Sequence, residues 1–478
     1  MPRPHVISAL LLASCSAVAL IAASPAVTGP VAVKAVPGDP THDYPFFAAL
    51  EDLKAHGYVE QEYFFSGTAN RYETPEGVTG KVLDGHHKYQ TRLVVRRPAD
   101  AKKFNGTVIV EWNNVTSGHD LDIDWYQIHD HLMRAGYAWV GVTAQRIGVE
   151  ALKAWNKDRY GSLDVTDEGA IRNDALSYDI FADAGRAARE PHGADVLGGL
   201  KPQRVFATGH SQSSARLATY VNSVHPLDPV FDAVILHGGG SKIRTDLKIK
   251  VWKLNSETDV IIGQGAARQP DTDSFRTWDV AGDSHVDTQF IASRAKLVAR
   301  DGNPIAPGFT PGQRGGGGNS SAPAPQLAAG GNPCDQPTYS DVPFYQVMAA
   351  ALDHLVAWVK DGKAPPTAPP IDITSPGPPA VIARDANGNS SGGGIRMAGI
   401  AVPIAVNTGQ NMGAGFCWLY GSHVEFDQPK LASLYPTHAA YVAAVRAVTE
   451  NNVKAGYILR PDADATIAAA QQSAIGKR

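Results

Sequence analysis

Six short apolar runs recur through the middle of the chain, each rich in β-branched or aromatic residues and too short to form a helix. They are 106–111 (GTVIVE), 137–142 (YAWVGV), 204–211 (RVFATGHS), 232–238 (DAVILHG), 248–255 (KIKVWKLN) and 274–282 (SFRTWDVAG). Runs of this kind read as strands buried in a sheet. Stretches with apolar residues at helical spacing separate several of them. Residues 124–135 place Trp125, Ile128, Leu132 and Met133 in step and stop at Gly136. Residues 174–189 and 213–224 follow, and 345–360 closes the series. Strands alternating with helices predict an α/β fold, a mostly parallel central sheet with helices on both faces. The alternating stretch 89–96 predicts one further strand.

Around this core the chain changes character. Residues 299–337 are rich in Gly, Pro, Ser and Asn and read as a surface loop. Residues 364–379 are Pro-rich and extended. Residues 380–478 carry short strand-like runs and a helix at 438–450, and are expected to form a lobe of the same unit, which would span 30–478. A length of 478 residues does not by itself give the domain count. The net charge of -4 argues against nucleic acid as a partner.

The first residues have the pattern of an export signal. Arg3 precedes an apolar stretch over 6–23, and small residues follow at Ala22, Ala23, Ser24 and Ala26. Residues 1–24 are therefore expected to be a signal peptide, directing the protein to the periplasm or outside; an uncleaved anchor is the alternative. Within it, Leu12-Ala13-Ser14-Cys15 resembles a lipobox, and only lipidation of Cys15 would attach the protein to a membrane. Once Cys15 is set aside, Cys334 and Cys417 remain, an even pair that predicts one disulfide in an exported protein. Two separate buried thiols are the alternative.

The strongest chemical signal is TGHSQSS, residues 208–214, between a buried strand and a helix. This is the setting of a nucleophile elbow, commonly G-x-S-x-G. A sharp turn lifts the serine hydroxyl off the sheet, and the flanking positions must be small because strand and helix pass closely. Gly209 and Ser213 meet that need around Ser211. A serine hydroxyl needs a base, and the base needs a carboxylate to orient it. Past one strand end comes SETDV with Glu257 and Asp259, and past the next comes AGDSH with His285. Both carboxylates compete for the acid role. His354, His423 and His438 rival His285 but fall in a helix or beyond the main sheet. The oxyanion would be held by the N–H of Gln212 and by that of Asn113 or Asn114 in the loop after the first strand. Residues 144–172 and the C-terminal lobe are expected to roof the pocket, with Trp155, Tyr160, Trp418 and Tyr420 lining it. His86 and His87 near Asp84, the segment 119–124 and the segment 129–131 contain metal-type residues, but solvated loops and helix faces explain them better. No cofactor fingerprint appears, so no metal or cofactor is expected.

Several segments then match a known family in order: NNVTSGHDLDIDW, GYAWVGVTAQRIG, YDIFADAGRAAR, GHSQSSARLATYVNSVHP, NSETDV, RTWDVAGDSHVD and RDANGNSSGGGIRMAGIAVPIAV. Over roughly residues 40 to 460 the chain resembles the bacterial α/β-hydrolase domain-containing proteins, which are exported or cell-envelope proteins. The resemblance implies an α/β-hydrolase fold and a Ser–Asp–His carboxylester hydrolase, with Ser211, His285 and the acid of the ETD turn in those roles. That turn also resembles the E-x-D turn of polyester hydrolases, which favours Asp259 over Glu257. Ser213 departs from the commonest esterase pattern, so substrates do not transfer from G-x-S-x-G enzymes. The expected function is an exported serine esterase. A polyester depolymerase or plant-wall esterase is the nearer alternative, and an inactive binding module on the same fold the more distant one.

Overall fold

The computed structural model describes residues 24–309 and 334–477. All but the last residue of the expected signal peptide, the lipobox Cys15 and most of the Gly/Pro-rich loop lie outside the described residues. A ten-stranded sheet organises the chain. Its strands are β1 (Ala26–Thr28), β2 (Tyr58–Glu73), β3 (Lys81–Pro98), β4 (Thr107–Trp112), β5 (Ala138–Val142), β6 (His192–Gly193), β7 (Arg204–His210), β8 (Ala233–His237), β9 (Lys250–Ser256) and β10 (Phe275–Val280). Across the sheet the order is β10-β9-β8-β7-β4-β5-β3-β2-β1-β6. From β10 to β5 every neighbour is parallel, while β3 and β2 join antiparallel. Each of the six apolar runs is one of these parallel strands. The chain lays β5 on one side of β4 and β7 on the other. That reversal opens a crevice at the carboxyl ends of β4 and β7, where open α/β sheets hold their ligands.

The main helices are α1 (Ile123–Ala135), α2 (Arg146–Trp155), α3 (Ser177–Arg189), α4 (Gln212–Thr219), α5 (Thr288–Asp301) and α6 (Phe344–Asp361). Strand β4 shows how they divide between the faces, because adjacent strand residues point oppositely. Glu111 accepts hydrogen bonds from the N–H groups of Asp124 and Trp125, at 2.8 and 2.9 Å, at the start of α1. Trp112 points the other way and stacks on Phe181 of α3 with ring centres 4.6 Å apart. Helix α1 also packs against α5 and α6. It ends at Gly136 with φ 76°, where a Cβ would sit 2.0 Å from the Lys103 carbonyl oxygen. Only glycine fits that stop.

The stretch 89–96 is part of a longer element than its alternation predicts. β2 and β3 form a hairpin of 16 and 18 residues. Its buried face carries charge. Glu62 accepts from Arg92 Nε at 2.5 Å and Arg159 Nε at 2.7 Å. Arg96 pairs with Glu60 at 2.8 Å and Asp122 at 2.6 Å, and lies 4.5 Å from the Trp139 ring centre. These arginines are tolerated inside because each is paired; removing one partner would strand a charge at a cost of about 3–5 kcal/mol.

Beyond α6 the chain returns to the sheet. Ile395 lies alongside β10, its N–H donating to the Asp279 carbonyl at 2.7 Å. Ile371, Ile382, Ile395 and Met397 join the main core, whereas Phe426, Leu431, Tyr435, Tyr441 and Val445 build a smaller one. The helix expected at 438–450 runs His438–Ala455. A disulfide joins Cys334 to Cys417 with Cα atoms 5.4 Å apart. No helix among the described residues is long and apolar enough to cross a membrane.

Candidate active site

Ser211 sits between β7 and α4 with φ 60° and ψ -116°, a conformation that non-glycine residues rarely hold. Its N–H donates to the His237 carbonyl at 2.9 Å, which anchors the turn to β8. The demand for small neighbours is visible in the packing. A Cβ on Gly209 would lie 3.1 Å from Ser213 Cβ, and Ser213 is fully buried.

The imidazole of His285, in the turn after β10, bridges two groups. Its Nε2 is 2.8 Å from Ser211 Oγ and its Nδ1 is 2.7 Å from Asp259 Oδ1. Asp259 sits in a capping box just past β9: the Ser256 N–H and hydroxyl both donate to its Oδ2 at 2.7 Å. Burial alone would raise its pKa, but the contact with His285 and the Ser256 donors outweigh that, holding the carboxyl below its ordinary value. Glu257 does not reach His285. It accepts from the N–H groups of Gly282 at 2.9 Å and Gly409 at 3.0 Å, with the Arg384 guanidinium at 2.6 Å. It ties the C-terminal segment to the loops that carry the acid and the histidine. The neighbouring Thr258 has a similar place: its hydroxyl accepts from the His285 N–H at 3.2 Å and donates to the Gly409 carbonyl at 2.6 Å.

Gly238, past the end of β8, is a site residue that sequence reasoning missed. With φ +66°, a Cβ there would lie 3.2 Å from each of Asp259 Oδ2, His210 Nε2 and His285 Nδ1. The space it leaves is what lets the carboxylate and imidazole meet. Its place at the end of an apolar run was the available signal.

The expected oxyanion loop needs correcting. Asn113 N–H donates to the Val142 carbonyl at 3.3 Å and Asn114 N–H to the Leu121 carbonyl at 3.0 Å, so both amides are occupied. The sheet ladder extends one residue past β4, and a bridge to Leu121 follows it. Asn114 contributes through its side chain instead, whose Nδ2 donates to the His210 carbonyl at 3.0 Å and fastens this loop to the elbow.

A cavity of about 520 Å³ opens beside Ser211 and His285. Its wall is mostly apolar, with Leu121, Ile123, Val286, Phe290, Ile305 and Leu419 prominent. The roof comes from α5 and from the turn around residue 419 rather than from residues 144–172. Tyr420 lines the cavity, but the other three expected residues do not. Trp155 stacks on His42 at 4.2 Å and donates to the Asp301 carbonyl, because α2 packs against the N-terminal segment. Tyr160 is fully buried and donates to Glu62 at 2.8 Å. Trp418 is 39% exposed. The rival histidines serve local bonds: His354 contacts the Gly456 carbonyl, His423 the Asn407 side chain and His438 the Ile475 carbonyl. His87 is held between Asp84 and Asp167, and among the described residues no group of three or more His, Cys, Asp or Glu is arranged to hold a metal.

An elbow serine, a mostly parallel sheet with this strand order and a crevice at its reversal are the features of an α/β hydrolase. The chain belongs to the alpha/beta hydrolase domain family whose model matches residues 27–468. No curated protein matches it. Similar solved structures include the glucuronoyl esterase of Solibacter usitatus, at 11% identity and a TM-score of 0.26, covering 51% of this chain and 82% of that one. A dienelactone hydrolase-like promiscuous phosphotriesterase from metagenomic libraries is similar at 13% identity and a TM-score of 0.21, covering 50% and 77%. At these values neither likeness bears on substrate.

Proposed function

We propose that the protein is an exported serine hydrolase that cleaves carboxylic esters through an acyl-enzyme. The observation that carries this reading is the continuous row Ser211–His285–Asp259 at the mouth of a mostly apolar cavity. In the first step Ser211 Oγ attacks the ester carbonyl carbon while His285 Nε2 takes its proton. Asp259 holds the ring through Nδ1 and stabilises the imidazolium. The oxyanion is met by the Gln212 N–H at the start of α4, the residue after the nucleophile. Collapse breaks the bond to the alcohol oxygen, which takes the proton from His285. Water then attacks the acyl-enzyme with His285 as base, releasing the acid and restoring Ser211. Export is supported by the pattern of residues 1–24 and by the disulfide, which persists in oxidising compartments.

The test is labelling with a fluorophosphonate probe beside turnover of 4-nitrophenyl acetate and butyrate. Wild type is expected to label and to turn over ester. Ser211→Ala is expected to do neither, with kcat falling on the order of 10⁴-fold or more. A folded wild type that neither labels nor hydrolyses any short ester would instead favour the inactive binding module.

A further inference from the structure

Among the described residues, the cavity beside Ser211 carries a single permanently charged side chain. Arg294 of α5 lines it, and no Asp, Glu or Lys does. One Nη of Arg294 donates to Asn303 Oδ1 at 3.3 Å, while its Nε is sealed from solvent without a hydrogen-bond partner. Among the described residues no carboxylate pairs with it, and the remaining stretches 1–23 and 310–333 contain no Asp or Glu. Among other interior arginines, Arg92, Arg96, Arg159 and Arg186 each hold a carboxylate, while Arg204 is satisfied by the Thr107 hydroxyl and the Asn105 carbonyl. Burial pulls the Arg294 guanidinium below its ordinary pKa, and the ionisable groups that favour its charge are the phenols of Tyr420 and Tyr339. Burial pushes both phenols up, so they stay neutral at neutral pH. Nearby His119, pushed down to about 3 by burial and then by Arg294, supplies no charge either.

A guanidinium fork left unfilled against an apolar wall is disfavoured until an anion enters. One cation with no second permanently charged group beside it in the described wall matches one negative charge, and the planar fork matches a carboxylate. We propose that Arg294 recognises a carboxylate on the substrate, so that the esters taken by this site carry a second, free carboxylate beside the scissile bond. The proposal rests on the ester-hydrolase reading for the position of that bond. Tyr339 and Tyr420, with ring centres 5.0 Å apart, flank the same end of the cavity and offer hydroxyls to the anion.

The experiment uses matched pairs. Mono-4-nitrophenyl glutarate is compared with its methyl ester, placing the charge in the acyl part. 4-Acetoxybenzoate is compared with its methyl ester, placing it in the alcohol part. For at least one pair, kcat/KM of wild type should favour the anion by about 10- to 100-fold, the range of a charge-assisted bidentate contact. Arg294→Met should abolish that ratio and Arg294→Lys should keep part of it. Wild type that hydrolyses the neutral esters with no anionic preference in either pair overturns the proposal and leaves the hydrolase reading standing. If wild type hydrolyses none of the four, binding decides. Glutarate or benzoate raising the melting temperature of wild type but not of Arg294→Met keeps the anion site while the ester reading falls, and no shift overturns both. Should Arg294→Met fail to fold, the wild-type ratio and the Lys variant still decide.

Discussion

His285 and His237 are each held by a carboxylate at 2.7 Å, Asp259 for the first and Asp124 for the second. Both pairs are buried, and the ring of His210 lies between them with its centre 4.3 Å from each imidazole. The pairs differ in what the far side of the ring meets. His285 presents Nε2 to Ser211 Oγ at the cavity mouth. His237 lies flat on Phe344 of α6 with ring centres 4.7 Å apart, and Asp124 is held further by the Thr208 hydroxyl. The same two residue types are therefore placed for proton transfer where the second nitrogen faces a hydroxyl, and for packing where the ring faces another ring.

Removing the carboxylate charge from each pair should separate these roles most sharply. Asp259→Asn is expected to lower kcat on the order of 10⁴-fold with the fold kept, because the imidazole loses its orientation and its counter-charge. Asp124→Asn is expected to cost about 3 kcal/mol of stability and to leave kcat within about tenfold. Steady-state kinetics and urea melts on both variants measure this. Equal losses of kcat would show that the two pairs act as one relay.

Crowding one pair alone is the next test. Gly238→Ala puts a methyl group 3.2 Å from Asp259 Oδ2 and from His285 Nδ1, and imposes φ +66° on a residue that resists it. A displacement of about 1 Å there should reduce kcat on the order of 10²-fold, while KM for a short ester changes little. An unchanged kcat would mean that the row tolerates movement.

The smallest effect concerns the ring between the pairs. Burial first, then the neighbouring His237 and His285, holds the His210 pKa well below its ordinary value. The unfolded chain therefore binds a proton below about pH 6.5 that the folded chain refuses, so stability is full above that pH and falls as pH drops. This residue should contribute a slope of about 1.4 kcal/mol per pH unit below that point. His210→Gln should flatten the slope by one proton in urea melts between pH 5 and 7. No change in slope would place the titrating proton elsewhere, His119 and His225 being the other histidines that burial holds down.

The legibility of the chain was uneven for physical reasons. Parallel strands buried on both faces leave near-continuous apolar runs, so β4, β5 and β7 to β10 could be read directly. The hairpin of β2 and β3 could be read only over 89–96, because buried charges such as Glu62 blur the apolar pattern of the rest. Trp155 and Tyr160 look like pocket aromatics in the sequence but pack the N-terminal segment and the hairpin. Arg294 gave no sign, since a lone arginine on a helix is ordinarily a solvated one.

Local pattern alone determined the elements that local forces control: strand and helix order, the small residues around Ser211, the breaker at Gly136 and the succession of serine, carboxylate and histidine along the chain. Tertiary structure decided what depends on partners far away in sequence. It distinguished Asp259 from Glu257 by which of them faces the imidazole, occupied the Asn113 and Asn114 amides with distant carbonyls, and set α5 over the cavity with Arg294 unpaired. A hydrogen bond or an ion pair belongs to two residues at once, and the sequence names each of them without saying where the other will lie.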